Sequence, residues 1–123
     1  MDENERYYPD LASWIRRHAG AEFVSSAISV MEYLACPYRE GDEAAVRDFY
    51  HFVSEYEIVI LPIDERTANM AAKIRAKYKG FKAMDALQLA TAMISDCDLF
   101  LTNDKQLRRF DGLPILVVDD LSP

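Results

Sequence analysis

Four apolar runs, each too short for a helix and each separated from the next by a longer amphipathic stretch, constrain this chain more than any other feature. They are Phe23-Val24 within Glu22-Phe23-Val24-Ser25, then Ile58-Val59-Ile60-Leu61, Leu99-Phe100-Leu101 and Ile115-Leu116-Val117-Val118. Such runs read as strands, and the unbroken one at Ile58–Leu61 has the pattern of a strand covered on both faces. Strands separated by helices imply crossovers rather than hairpins. The chain therefore reads as α/β, with a mostly parallel sheet between layers of helices in a three-layer α/β/α arrangement.

The helices can be placed one by one. Pro9 occupies a first-turn position, and Leu11, Trp14, Ile15 and Ala19 follow at helical spacing until Gly20. Ser26 to Cys36 reads as a helix ending before Pro37. Asp42 caps a helix that faces inward through Ala45, Val46, Phe49, Phe52 and Val53. Asp64 caps another, through Ala68, Ala71, Ala72, Ile74 and Ala76, ended by Gly80. A strongly apolar helix from about Ala83 to Ile94 precedes the third strand, and Lys105 to Phe110 forms a short one.

With 123 residues, half of them apolar, the chain suits a single domain over 1–123. No apolar run approaches the ~20 residues that span a bilayer. Met1-Asp2-Glu3-Asn4-Glu5 lacks the cationic, apolar character of a signal peptide, so a cytoplasmic protein is expected. Cys36 and Cys97 read as buried, reduced thiols, and His18 and His51 are isolated, which argues against zinc centres and Ser-His-Asp triads. Four glycines form no phosphate-cradling loop. A net charge of −7 argues against wholesale coating of nucleic acid, yet positive charge is clustered. Lys73, Arg75, Lys77, Lys79 and Lys82 form one group, and Lys105, Arg108 and Arg109 a second; singly, each also reads as part of a solvated helix face.

Open α/β sheets bind ligands beyond the carboxyl ends of their strands. Glu32 lies in the helix after the first strand, Asp85 opens the apolar helix leading to the third, and Asp104 follows Leu99-Phe100-Leu101-Thr102-Asn103. Each has a structural alternative. Ser29 and Glu32 have capping-box spacing, Asp85 suits a helix first turn, and Asp104 or Asn103 could be an N-cap.

Three segments together resemble the PIN-domain family, in its VapC-like toxin branch. "SSAISVMEYL" is similar to the segment with that family's second acid, matching Glu32; "MDALQLATAM" to the one with the third, matching Asp85; and "CDLFLTNDKQL" to the strand and turn ending in Thr-x-Asp, matching Thr102 and Asp104. Order and spacing agree over about residues 5 to 118. One element of the pattern is absent: the family's first apolar strand, central in the sheet and ending in an Asp, has no counterpart before Met1-Asp2.

The resemblance implies a Mg²⁺- or Mn²⁺-dependent endoribonuclease with Glu32, Asp85 and Asp104 as metal ligands and catalytic acids. Thr102 and Asn103 would support them, and Lys79, Lys82 and Lys105 would contact RNA phosphates. It also implies an antitoxin protein as partner, and homodimers. Without the central strand, burial worth roughly 8–15 kcal/mol is missing, comparable to a domain's whole net stability. The strands at Phe23-Val24 and Phe100 should then have unpaired edges, and the chain should be marginal, associate, or belong to a longer one. Impaired cleavage is expected. The alternative is a catalytically inactive PIN-like module that binds an antitoxin or another partner. A receiver-like domain would need paired acids after the first strand, whereas Asp119-Asp120 lie at the other end.

Overall fold

The computed structural model describes residues 11–118. Pro9, Asp2 and Asp119-Asp120 lie outside them. The order is a helix with described residues 11–17 (α1), β1 (Val24–Ser26), α2 (Ala27–Glu40), α3 (Glu43–Glu55), β2 (Val59–Leu61), α4 (Glu65–Lys77), α5 (Ala83–Ile94), β3 (Phe100–Thr102), a 3-10 turn (Lys105–Arg109) and β4 (Ile115–Val117).

The strands pair in parallel, as the crossovers require. β1 lies on β2 with Val24 opposite Val59 and Ser26 opposite Leu61; β3 lies on β4 with Phe100 opposite Ile115 and Thr102 opposite Val117. Among the described residues these are two separate pairs, and neither β1 nor β3 has a neighbour on its second edge.

What joins the halves is α5. It packs against α4 along its length and also touches β1 and α2. Its small residues explain how: Ala86, Leu89 and Ala90 are wholly buried, and alanines let neighbouring backbones approach closely. The core built around it contains Ala71, Ile74, Phe81, Leu107, Phe110 and Leu113, all from the second half of the chain. Among the described residues of the first half, the buried apolar side chains are Ile15, Leu34, Pro37 and Phe49.

The caps at Asp42 and Asp64 form as expected, with the Ala45 amide donating to Asp42 Oδ1 at 3.0 Å and the Thr67 amide to Asp64 Oδ1 at 2.9 Å. Other expectations need correction. Pro37 does not end α2; the helix runs on to Glu40 and stops at Gly41, left-handed at φ +67°. Proline removes one backbone donor but its ring is buried here, and packing carries the helix past it. β2 is not covered on both faces, since Val59 is 53% exposed. It is an outer strand, and continuous apolarity does not distinguish an outer strand from a covered one. Cys36 and Cys97 form no disulfide with each other and are only half-buried.

Candidate functional site

The first acid to place is Asp85, which stands half-buried in the opening turn of α5. Asp104 follows β3 and caps the 3-10 turn: its Oδ1 accepts from the Gln106 amide at 2.9 Å, while its own amide donates to Thr102 Oγ1 at 3.1 Å. Thr102 thus fixes the turn that aims Asp104, and the N-cap is Asp104 rather than Asn103, whose side chain is exposed. The two carboxylates are near neighbours. Burial, and then the charge of Asp104, push the Asp85 carboxyl above its ordinary range, against a smaller opposing pull from Lys82. A like-charge pair with one member reluctant to ionise is relieved by a shared proton or by a cation.

Glu32 is exposed on α2, where its charge helps raise the Tyr33 hydroxyl, whose largest influence is burial. The helix begins at Ala27 with Ser26 as N-cap, so the Ser29–Glu32 spacing is not a capping box. Ser29 belongs instead to a polar network that the sequence reading missed. Fully buried Ser26 donates to Gln88 Oε1 at 2.6 Å, Gln88 Nε2 donates to Ser29 Oγ at 3.0 Å, and Ser29 is 2.6 Å from Ser25 Oγ. Ser29 is three residues from Glu32 and Gln88 three from Asp85, so the network locks the helices that carry both acids. Its one visible signal was an amide, Gln88, set between Leu87 and Leu89 in a mostly apolar helix.

The structure brings Asp85 and Asp104 together. Among the described residues it does not gather three or more His, Cys, Asp or Glu side chains at metal-binding spacing, so Glu32 does not complete a three-acid cluster with them. Two carboxylates with oxygen donors fit one hard divalent cation whose other positions are taken by water. The basic residues Lys79, Lys82 and Lys105 are exposed, and the charge of Lys82 acts on Asp85. Two hollows lie elsewhere: one of about 420 Å³ over Glu65, Arg66 and Asn69, and one of about 140 Å³ lined by Leu61, Pro62, Asp64, Thr67, Thr91 and Ile94.

Among the described residues no helix is long and apolar enough to cross a membrane. Comparison with curated proteins finds none that matches the chain. The family model of the PIN domain matches residues 3–113, and PIN domains are in general nucleases, which suits a paired-acid site beside exposed lysines. On a match of that extent, and with parallel strands and helices in the expected order, the chain belongs to the PIN-domain family.

Proposed function

We propose that this chain is a metal-dependent endoribonuclease of the toxin–antitoxin type, resembling the VapC-like branch of its family, which hydrolyses RNA phosphodiester bonds. The observation that carries the reading is the Asp85–Asp104 pair, held at the end of β3 and the start of α5 with mutual repulsion. Mg²⁺ or Mn²⁺ would be held by these two carboxylates, with Glu32 reaching it through water. Such an ion, when bound, supplies an acidified water as nucleophile near neutral pH. The Thr102 hydroxyl steadies the turn at Asp104, the Ser26–Gln88–Ser29 network holds α2 against α5, and Lys79, Lys82 and Lys105 contact phosphates. A cytoplasmic setting, an antitoxin that covers the acids and a homodimer complete the proposal.

The test is Mn²⁺-dependent cleavage of RNA by the wild-type chain, Asp85→Asn and Asp104→Asn. Each substitution should lower the rate roughly a hundredfold or more. Equal cleavage by all three would remove the site assignment. One observation favours a second reading, an inactive module that binds a partner: among the described residues no third carboxylate joins the pair. That reading predicts no heat of Mn²⁺ binding in calorimetry, whereas the nuclease reading predicts binding that Asp85→Asn weakens.

A further inference from the structure

The two basic runs of the sequence are 23 residues apart at their nearest members, Lys82 and Lys105, yet the fold closes them on one another. Arg109, at the end of the 3-10 turn, donates from Nη2 to the Lys79 carbonyl at 3.0 Å. Its guanidinium lies over the Phe81 ring, 4.9 Å from the centroid. Phe81 is itself buried and stacked on Tyr78 at 5.0 Å, so the arginine rests on a fixed platform. The segment it holds, residues 79–82, turns through Gly80 at φ +92°, a conformation that has no side chain of its own to stabilise it. Lys82 then occupies the N-cap position of α5, where no side chain caps the first amides, and Asp85 follows in the first turn.

Arg109 thus joins the second basic run to the 79–82 turn, the Lys82 charge acts on the Asp85 carboxyl, and Lys105 directly follows Asp104 in the chain. Lys77 is excluded, because its ammonium is 3.5 Å from Asp111, which also accepts from the Tyr78 hydroxyl. Lys79 and Lys105 are exposed and form no such ion pair among the described residues.

We infer that Arg109 is a positioning residue that clamps the 79–82 turn, so that Lys79 and Lys82, with Lys105 opposite, form one cationic shelf gripping the phosphates of an RNA strand beside the acid pair. The inference rests on the nuclease reading for the identity of the ligand. A folded basic shelf beside two acids favours a polyanion that must be gripped on one side of a reacting phosphate. Arg109 itself is spent on the Lys79 carbonyl and the Phe81 ring, with a longer bond of 3.4 Å to the Gln106 carbonyl, so it acts through the lysines.

The test is binding rather than cleavage. A fluorescently labelled single-stranded RNA 20-mer is titrated with the full chain in EDTA at several NaCl concentrations, read by anisotropy. Each lost phosphate contact should flatten the plot of log affinity against log salt by about 0.7 for a single strand. Lys79→Ala, Lys82→Ala and Lys105→Ala should each flatten it by about that much, while Arg47→Ala, on exposed α3, should leave it unchanged. Arg109→Ala should flatten it by about two such steps, and Arg109→Lys should not restore it, because an ammonium cannot reproduce the planar stack. In a Lys79→Ala, Lys82→Ala background the Arg109→Ala effect should largely vanish, the signature of coupled residues. Thermal melts of every variant separate loss of the shelf from loss of the fold.

Additive effects, full rescue by Arg109→Lys, or an equal loss in Arg47→Ala would overturn the inference, as would binding to phosphatidylserine vesicles in place of RNA. Shelf-dependent RNA binding alongside cleavage that ignores Asp85 would sink the nuclease reading and leave the shelf standing. Cleavage that depends on Asp85 with binding that ignores Arg109 and the lysines would do the reverse.

Discussion

Ser26 carries three duties that an apolar residue could not. It ends β1, its hydroxyl accepts from the Ile28 amide at 3.1 Å to cap α2, and it donates to Gln88 from a position with no solvent exposure. Replacing it by alanine removes a cap and strands the Gln88 carbonyl, each costing on the order of 1 kcal/mol or more. Urea denaturation of Ser26→Ala should therefore show a loss of about 2 kcal/mol. Asp85 acts in the opposite sense. Its carboxyl is raised in the folded chain, so the native state binds its proton more tightly than the unfolded state does. Its contribution to stability is most favourable below the unfolded pKa and is lost as pH rises through the raised folded value. At pH 7, then, Asp85→Asn should be more stable than the native chain, by about 0.5 kcal/mol given partial solvent screening. Melts at falling pH should show that gap closing between the raised folded value and about pH 4, and closed below it, where the carboxyl is neutral in both states. A gap that stays constant from pH 7 to pH 3 would mean that ionisation of Asp85 is not its source.

At the scale of elements, α5 decides the molecule. Its sequence could serve any buried helix, but its contacts with α4, β1 and α2, and its share of the cluster against which Phe100 and Ile115 pack, make it the tie between the strand pairs. Leu89 is the largest side chain of α5 with no exposure at all. Leu89→Ala should cost about 3 kcal/mol, through lost burial and a cavity that rigid neighbours cannot close. Val59→Ala on half-exposed β2 should stay within about 0.5 kcal/mol. Parallel denaturation curves of the two variants check both figures. The helix ends show a related lesson. Asp42 and Asp64 cap as their side chains dictate, whereas Pro37 sits inside α2 because burial of its ring outweighs the lost backbone bond.

Across the whole molecule, stability is unevenly spread. The cluster from Ala71 to Leu113 holds most of the buried apolar side chains, while α2 and α3 expose Met31, Tyr38 and Tyr50. Local opening free energies follow contact density, so amide exchange should be slowest in α4 and α5. Mass-spectrometric exchange should find α2, α3 and the β1–β2 pair opening first. Uniform protection across both halves would show that contact density does not set local stability here.

Much of this was legible in the chain itself. Helix caps are local chemistry between a side chain and amides two or three residues on, so Asp42 and Asp64 announced themselves, as did the strand and helix order. The motifs around Glu32, Asp85 and Asp104 were equally plain to read, because each is a short local pattern. What no local pattern contains is distance. Only the tertiary structure set Asp104 beside Asp85 without a third acid completing the cluster among the described residues, joined Ser26 to Gln88 across 62 positions, and laid Arg109 on the Lys79 carbonyl 30 residues away. Those pairings depend on how α5 packs between two strand pairs, and packing is a property of the assembled surfaces rather than of any one stretch of chain.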